Sequence, residues 1–557
     1  MSTAVLQDAS LARRTGFATV LIGLCLALPW LQPFAPGPSS NVVPWLASAA
    51  CVLLAFGLTA PAWPRRSRLL LVVAVVAFVA LRPAHGVLDR VAFAGTALLL
   101  VLAWGIARGR ARDGGSLVPA IAWAWVGAAL LSSVIALLQY FDWAAGLSPW
   151  VHVSRAGEAL ANLRQRNQFS SFTTIGLAAV LWLASRPGAR WPRWIPAVVL
   201  LACANAASIS RTGMLQWLVL LALVAIWQAP NRRRNVALCG IALAAYGVAG
   251  LLLPLALERV TGIAPESLLG RLSEELGCIS RKVLWRNVLQ MIAAHPWAGW
   301  GWGELDFAHY MQLYGDGPRF CEILDNAHNL PLHLAVELGL PFALLATAAA
   351  LWLLLRARPW IAPDPQRQLA WGVLMALASH SLLEYPLWYG PFQSALGLAA
   401  GLLASALAGA PQQPMMPGLR RGIVAAGLAL VAYAGWDYAR VSQIYAEPNQ
   451  RLSWWRDDAL GHAQASWLFA SQARFAALTL EPLTRDNLGW SDAMAQELLH
   501  YSPEPRVVER VIEAATMQGR TDEAVLHLAR FRAAFPKDYE SWRRKQRGLP
   551  GAATLQP

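Results

Sequence analysis

The sequence predicts an all-α polytopic membrane protein with a large outward loop and a soluble helical tail. The chain has 557 residues, of which 56% are apolar and only 14% charged, which is too apolar for a soluble chain of this length. Apolar stretches long enough to cross a bilayer as helices recur up to about residue 440. After that point the composition changes to mixed charge with helical periodicity, which is typical of a soluble helical region.

The apolar stretches define the membrane part. We count about thirteen of them, each close to the length that a bilayer-spanning helix needs. They are centred near residues 25, 50, 74, 97, 128, 176, 202, 220, 245, 344, 378, 400 and 429. We therefore divide the chain into membrane helices at 1–256, an outward loop at 257–328, further membrane helices at 329–439, and a helical region at 440–557.

The basic residues set the orientation. The net charge of +14 could indicate nucleic acid, but the arginines cluster in alternate loops, which is the positive-inside pattern. The clusters are Arg13/Arg14, Arg65/Arg66/Arg68, Arg108/Arg110/Arg112, Arg186/Arg190/Arg193, Arg232/Arg233/Arg234, Arg356/Arg358 and Arg420/Arg421. We expect the N-terminus in the cytoplasm, the loop and the tail outside, a location in the bacterial inner membrane and no nucleic-acid partner.

The outward segments are where chemistry is expected. The chain has no G-x-x-x-x-G-K-[ST] motif, so a nucleotide site on the inner side is not indicated. In the tail, the number of residues from Pro503 to Pro536 is close to the period of a tetratricopeptide repeat. This TPR-like helical pair could be a protein-docking surface or a hairpin that only stabilises the fold. Cys278 and Cys321 both lie in the outward loop and could form a disulfide in an oxidising periplasm.

Two polar clusters interrupt apolar segments on the outward side. The stretch "NLRQRNQF" at 162–169 carries Gln165 and Asn167, whose amides suit sugar hydroxyls or phosphate oxygens better than a headgroup layer. In "SISRTG" at 208–213, Arg211 stands alone where the positive-inside rule disfavours it. Such an arginine indicates an anionic ligand, with an ion pair to an acidic loop residue as the alternative.

The loop contains a predicted amphipathic helix lying on the membrane. Its apolar positions are Leu272, Leu276, Ile279, Val283, Val288 and Met291. Arg281, Lys282 and Arg286 project from it beside Trp285 and could hold a diphosphate, although such a charge run is ordinarily a solvated face. The following "WAGWGWG" at 297–303 is either an interfacial aromatic belt or a sugar-stacking surface.

The stretch "DNAHNLPLHLAVELGLP" at 325–341 closes the loop and starts the tenth predicted span. Asn329 is expected to be its N-cap, so His328 lies at the outward mouth, near Asp325. A zinc site is not predicted, because the spacing of His328, His333 and Glu337 is a poor ligand set. We interpret His333 and Glu337, four residues apart, as a buried pair.

A last cluster, "SHSLLEYPLWYGPF" at 379–392, lies at the outward end of the eleventh span. The spacing of His380, Glu384 and Tyr385 predicts that they share one side of a helix. They could belong to the site, or they could be core hydrogen-bonding groups.

These motifs, in this order, resemble the O-antigen ligase and polymerase superfamily. The "NLRQRNQF" element and the helical tail look more closely like the bacterial protein O-oligosaccharyltransferases of the PglL type. The resemblance covers residue 160 to the C-terminus and implies a GT-C-like fold. It implies transfer of a preassembled glycan from undecaprenyl diphosphate to Ser or Thr of periplasmic or pilin proteins, without metal or other cofactor.

The resemblance also assigns roles. Arg211 and Arg281 match arginines that grip the lipid diphosphate, His328 matches the histidine of the loop-end motif, and Gln165 and Tyr385 match residues important in this branch. We add Asn167 and Arg286 as donor-binding candidates, and Asp325, Asn329, Glu337 and His380 as supporting residues. Transfer to lipid A core, polymerisation of lipid-linked glycan, and a lipid-linked glycan transporter are the alternative functions.

Overall fold

A computed structural model shows an almost wholly helical chain. The structure describes residues 3–62, 66–82, 86–111, 115–263, 277–315, 317–408 and 415–547. Within these ranges strand structure is limited to β1 (Thr59–Ala60) and β2 (Arg110–Ala111), which pair antiparallel. The predicted all-α class is therefore confirmed, while Arg65, Arg112, Leu272 and Leu276 lie outside the described residues.

The helices follow the predicted order. The first group is α1 (Thr3–Leu31), α2 (Val42–Leu58), α3 (Arg66–Ala80), α4 (Val87–Arg108), α5 (Val118–Tyr140), α6 (Arg166–Ala184), α7 (Ile195–Ala207), α8 (Arg211–Ile226) and α9 (Arg232–Thr261). Next come α10 (Arg281–Ala294), α11 (Leu305–Met311), α12 (Leu330–Leu338), α13 (Leu340–Ala357), α14 (Pro365–Ser381), α15 (Gly390–Ala408) and α16 (Pro417–Ser442). The tail forms α17 (Ala459–Gln464), α18 (Ala470–Leu480), α19 (Leu488–Leu499), α20 (Pro505–Met517), α21 (Thr521–Ala534) and α22 (Pro536–Arg547).

Several helices have the length and composition of membrane spans. Among the described residues these are α4, α5, α9, α13, α15 and α16, and four shorter helical segments are also apolar. A long apolar helix satisfies its own backbone in lipid, so the chain is a multi-pass membrane protein. A helix covers each predicted centre, but the number of spans and the orientation remain predictions.

The chain folds into two compact units, each built from separate stretches. The first comprises residues 1–72, 95–274 and 351–435. Its core surrounds α6, which packs against α5, α7, α8 and α14. The Cβ atom that a larger residue would add at Gly176 of α6 would lie 2.5 Å from the Ala129 side chain of α5, so the small residue permits the close helix approach.

The second unit comprises residues 73–94, 275–350 and 436–557. Its tail core includes Val508 and Phe531, both fully buried, and also Tyr310 from α11. The Tyr310 hydroxyl lies 2.8 Å from His527 Nδ1. The short helix α11 in the predicted loop is therefore part of the hydrophobic core of the C-terminal helices. Gly519, at φ 73°, separates α20 from α21 as the sequence predicts, while the TPR-like assignment remains a prediction.

The predicted tenth span differs from the structure. Its start is right, because the Asn329 side chain accepts a hydrogen bond from Leu332 N at 3.1 Å and begins α12. However, α12 ends at Leu338, and Gly339, at φ 87°, separates it from α13. A Cβ at Gly339 would lie 2.3 Å from the Trp297 carbonyl oxygen, so contact with the loop backbone breaks the helix there.

Two buried histidines contribute less to the stability of the second unit as the pH falls. Burial lowers the pKa of His309 from 6.5 to about 3 and that of His527 from 6.5 to about 4. The unfolded chain takes up these protons first as the pH falls, so the contribution of each histidine to stability is present above pH 6.5. It is lost between 6.5 and about 3 for His309 and between 6.5 and about 4 for His527. The raised pKa of buried Asp306 in the same unit acts in the opposite direction, so we expect the histidine contribution to appear as a difference in pH dependence between matched variants.

The matched variants are His527→Gln and His462→Gln, because His462 is exposed on α17. Intrinsic fluorescence in detergent measures the unfolding temperature of each. Between about pH 7.5 and about pH 5, the unfolding temperature of His527→Gln should fall less, or rise more, than that of the wild type, because the variant lacks this shifted group. His462→Gln should behave like the wild type. Equal pH dependence in the wild type and His527→Gln would contradict the prediction.

Candidate active site

Asn167 is the centre of a polar network in the first unit. Its Nδ2 donates to Glu384 Oε1 at 3.0 Å, and its Oδ1 accepts from Ser210 Oγ at 2.7 Å. Ser170 Oγ donates to Ser210 Oγ at 2.9 Å. One amide side chain thus joins three turns that are far apart in the sequence: the start of α6, the start of α8, and the segment after α14.

Each of these turns carries a residue that the sequence singles out. Gln165 is the N-cap of α6, with its side-chain oxygen accepting from Gln168 N at 3.0 Å. Ser210 is the N-cap of α8, and Arg211 is the first, exposed residue of that helix. Tyr385 follows Glu384 and stacks on Tyr389 at 6.1 Å between ring centroids. Because side-chain bonds fix the turns, they also fix the backbone from which these groups project.

Arg211 has no carboxylate partner within the part of the chain that the structure describes. Among the described residues, no Asp or Glu forms an ion pair with its guanidinium. The alternative of a structural ion pair from the loop is therefore not observed within the described ranges. An exposed arginine beside a helix N-terminus, where the backbone N–H groups also favour negative charge, suits an anionic ligand.

The predicted arrangement of His380, Glu384 and Tyr385 is wrong in one respect. Helix α14 ends at Ser381, so these residues do not share one helical side. His380 is fully buried and faces the Phe392 ring edge-on at 5.7 Å, as its interpretation as a core residue expects. Glu384, 5% exposed, is instead brought to the site by its bond to Asn167.

The network continues among residues that sequence reasoning missed. Gln216, fully buried on α8, donates from Nε2 to Ser171 Oγ at 2.8 Å and to the Ala376 carbonyl at 3.0 Å. Its Oε1 accepts from Thr174 Oγ1 at 3.1 Å. Hydrogen bonds between membrane helices hold them in register. The signal was present in "QFSSFTT" at 168–174, where four hydroxyl side chains interrupt an apolar helix.

In the second unit, His328 lies in a sharp backbone turn. Its φ is 49°, a left-handed conformation that few residues other than glycine adopt, although His and Asn are enriched there. Its N–H donates to Asn326 Oδ1 at 2.8 Å, and Asn329 begins α12 directly afterwards. The imidazole is half-buried at this turn. The turn, rather than a helix, therefore sets the direction of the His328 side chain.

Helix α10 is joined to the segment before His328. The structure links Cys278 and Cys321 in a disulfide. Buried Asn287 accepts from Phe320 N at 2.7 Å and donates to the Pro318 carbonyl at 3.3 Å. Trp285 Nε1 donates to the Ala327 carbonyl at 3.1 Å. These bonds connect helix α10, which begins at Arg281, to the segment that leads into His328.

The prediction that this helix lies on the membrane is wrong for its described part. The helix begins at Arg281, and Ile279 precedes it in a 3-10 turn with 46% of its surface exposed. Val288 and Met291 are fully buried in a core shared with α11 and α12. The apolar face of α10 is therefore covered by protein, while Lys282 and Arg286 are exposed.

The "WAGWGWG" segment packs its backbone against the end of α12. Trp300 N donates to the Val336 carbonyl at 2.9 Å, and Gly301 N donates to the Glu337 carbonyl at 3.0 Å. Gly299, at φ 68°, has no room for a Cβ, which would lie 2.4 Å from the Glu337 carbonyl. The glycines therefore serve backbone contact. Of the three indoles, only Trp297 is largely exposed, at 79%.

The pair of His333 and Glu337 is present and buried. His333 Nε2 lies 3.4 Å from Glu337 Oε2, with 3% and 2% of the side chains exposed. Glu337 Oε2 also accepts from Gly303 N at 3.1 Å. The bond from Gly303 to Glu337 therefore joins the loop to α12.

Further carboxylates lie around this pair. Glu304 is 2% exposed, and its Oε2 lies 2.7 Å from Nδ1 of His500, the C-cap of α19. Burial raises the pKa of Asp306 well above its usual range, with Glu304 and Glu337 adding to the effect. Asp325 keeps surface contact with solvent, but the surrounding protein raises its pKa, and positive charge on His328 opposes this.

The predicted site residues divide between the two units. Gln165, Asn167, Arg211, His380 and Tyr385 belong to the first, and Arg281, Arg286, Asp325, His328, Asn329 and Glu337 belong to the second. Within the first unit, the Asn167 network gathers the turns of Gln165, Arg211 and Tyr385. Within the second, the disulfide and the α10 contacts join the segments of Arg281 and His328.

Three protein-family models match successive parts of this chain. A model described as protein glycosylation ligase matches residues 159–184, one described as O-antigen ligase matches 196–347, and the C-terminal model of a virulence factor membrane-bound polymerase matches 368–549. A general O-oligosaccharyltransferase from Acinetobacter baylyi is 25% identical over 321 residues, which are 56% of this chain and 55% of that protein. The matched region is thus only a little over half of the relative.

The chain is thus a helical membrane protein whose matched regions resemble glycan ligases and polymerases. More particularly, its parts are similar to the O-antigen ligase and protein glycosylation ligase families, and about half of its length is similar to a general O-oligosaccharyltransferase. The predicted resemblance is confirmed. The first model covers Asn167, the second covers Arg211, Arg281 and His328, and the third covers Tyr385.

Proposed function

We propose that this chain transfers a preassembled glycan from undecaprenyl diphosphate to Ser or Thr hydroxyls of periplasmic or pilin proteins. The observation that carries the proposal is the Asn167 network. Its hydrogen bonds hold the turns of Gln165, Arg211 and Tyr385 around one side chain. The similarity to a general O-oligosaccharyltransferase supports a glycan transferase with a protein acceptor.

In the proposed reaction, the acceptor hydroxyl oxygen attacks the anomeric carbon of the glycan. The new carbon–oxygen bond forms as the bond to the lipid diphosphate breaks, in a single displacement that inverts the anomeric configuration. Arg211 and Arg281 stabilise the charge on the departing diphosphate, since charge-assisted hydrogen bonds are stronger than neutral ones. His328 takes the hydroxyl proton or orients the acceptor, a role in which histidine serves more often than any other side chain.

The other predicted residues assist. Asn167, Gln165, Arg286 and Tyr385 contact the diphosphate or the first sugars, and no metal or nucleotide takes part. In this proposal the reacting face and the tail lie on the periplasmic side of the inner membrane, with the N-terminus in the cytoplasm. That orientation follows from the positive-inside pattern of the arginine clusters.

The main alternative is the same chemistry with a lipid-linked acceptor. It is favoured by the O-antigen ligase match at 196–347 and by the polymerase match at 368–549. The acceptor then is lipid A core or another lipid-linked glycan. The site residues and the donor stay the same, so only the product distinguishes these functions.

The experiment is to supply the purified chain with undecaprenyl-diphosphate-linked glycan and, in parallel, a pilin and a lipid A core acceptor. Mass spectrometry of both acceptors identifies the product. Glycan on Ser or Thr of the pilin supports the proposal. Glycan found only on lipid A core, or only as longer lipid-linked polymer, would reject the protein-transferase function in favour of the alternative.

The role of the Asn167 network in transfer can be tested by reversing its hydrogen bond to Glu384. Asn167→Asp keeps an oxygen for Ser210 but loses the donor to Glu384 and places two carboxylates together. We expect transfer to fall by at least about tenfold, since a lost bond to a charged group costs roughly 1.5–3 kcal/mol. Glu384→Gln alone keeps an acceptor oxygen and should retain most activity.

The double variant Asn167→Asp/Glu384→Gln should restore the hydrogen bond between these two positions. The glutamine amide can donate to the new aspartate, so transfer should recover to near the Glu384→Gln level. Initial rates of glycan transfer measure all variants at equal amounts of membrane-extracted protein. A double variant no better than Asn167→Asp would mean that the bond between these two side chains does not organise the site.

A further inference from the structure

The C-terminal helical region begins with exposed tryptophans around the end of the last membrane span. We propose that Trp436, Trp454 and Trp467, named here the aromatic collar, seat this region in the lipid interface of the bilayer. The fractions of their surface that are exposed are 47%, 76% and 58%. Tryptophan favours this layer because its ring is largely apolar while its N–H can reach water or headgroups.

The end of α16 marks the edge of the membrane-exposed surface. Up to Trp436 much of the helix is exposed, as expected for a face that meets lipid, and Leu430 has 66% of its surface exposed. From Asp437 onward the helix becomes buried, with Asp437 and Val441 fully enclosed by protein. This change occurs within one residue, so the lipid boundary falls at the level of Trp436.

A buried network fixes the following segment at this level. Asp437 Oδ2 accepts from Ser466 Oγ at 2.8 Å and from Leu468 N at 3.0 Å. Arg440 ion-pairs with Asp437 and donates to the Ala465 carbonyl at 2.8 Å. The network holds 465–468 against the last turns of the span, and Trp467 lies between the two residues that bond to Asp437.

Trp454 reaches the same level through a second set of contacts. The Trp436 ring lies 6.4 Å from the ring of Trp455, which is buried, and Trp455 lies 6.2 Å from the ring of Trp454. The Arg440 guanidinium covers the Trp436 ring at 4.6 Å. The three exposed indoles are thus held beside the end of a membrane helix. The fitting partner is therefore the bilayer interface.

Hydroxyl-radical footprinting tests the collar in the full chain, reconstituted as one copy per nanodisc of phosphatidylethanolamine and phosphatidylglycerol. Mass spectrometry measures the oxidation rate of each tryptophan, normalised to the denatured chain. The control is Trp490 on α19, which is 39% exposed. If lipid covers the collar, Trp454 and Trp467 should oxidise several-fold more slowly than Trp490. This order is opposite to that of their exposed fractions, which are larger than that of Trp490. Rates that follow the exposures would overturn the proposal.

A second measurement identifies what covers the collar. Lipids brominated near the headgroup quench only indoles that contact them, so the quenched emission of Trp454→Ser/Trp467→Ser should be smaller than that of the wild type. Trp490→Ser should leave the quenched fraction unchanged. If the collar oxidises slowly but the double variant and the wild type show the same quenched emission, protein rather than lipid covers the collar. That result would refute the proposal.

Discussion

Replacing His328 by asparagine is expected to lower the rate of glycan transfer by about 10²–10⁴-fold, the range that a positioned acid or base contributes. The backbone at this position is left-handed, at φ 49°. Asparagine tolerates that conformation far better than alanine does, so the bond from its N–H to Asn326 can persist. The substitution therefore removes the imidazole and keeps the turn. Initial rates with a protein acceptor and lipid-linked glycan measure the effect.

The control for His328→Asn is His462→Asn on an exposed surface of α17, which should leave transfer unchanged. Unfolding temperatures of both variants should stay close to the wild type. The pH dependence of the rate adds a second readout, because loss of a group that accepts a proton removes its titration from the profile. Wild-type rates in His328→Asn would remove this histidine from the site, and a small loss would limit it to orienting the acceptor.

Arg211→Ala is expected to have the second large effect, a loss of about 10²–10³-fold in turnover, comparable to removing a group that stabilises developing negative charge. Arg211 is exposed at the start of α8, so its removal leaves no buried group unpaired and should not unfold the chain. Arg211→Lys should recover only part of the rate, because lysine cannot offer a fork of two donors to a diphosphate.

Arg232 provides a matched control. It is also an exposed first residue of a long apolar helix, α9, but it belongs to an arginine cluster predicted to face the cytoplasm. Arg232→Ala should therefore retain transfer. If both arginines prove equally important, or equally dispensable, the assignment of Arg211 to the donor diphosphate fails, because a shared effect would reflect membrane insertion or general charge.

The site residues were partly visible in the sequence because membrane chains rarely keep polar side chains without a use. Asn167 and Arg211 stood out against apolar surroundings, and the capping of α12 by Asn329 followed from its residue type. Glu384 was visible only as a member of a local cluster. Its bond to Asn167 spans 217 positions, and no local pattern reports such a distance.

The errors have a common physical cause. The apolar face of α10 predicted a membrane surface, but amphipathic spacing gives only the existence of a buried face and not what covers it. In the structure α11 and α12 cover it. Likewise, the apolar run after His328 predicted one span, whereas the close approach of Trp297 to Gly339 divides it into two helices.

The sequence by itself determined that this is a multi-pass helical membrane protein that resembles the ligase and polymerase superfamily, because span length, composition and motif order are local properties. Only the tertiary structure decided that Asn167 joins three turns, that α11 belongs to the core of the C-terminal helices, and that Asp437 fixes the collar at the end of α16. These depend on hydrogen bonds and packing between distant segments, which the folded chain alone brings within reach.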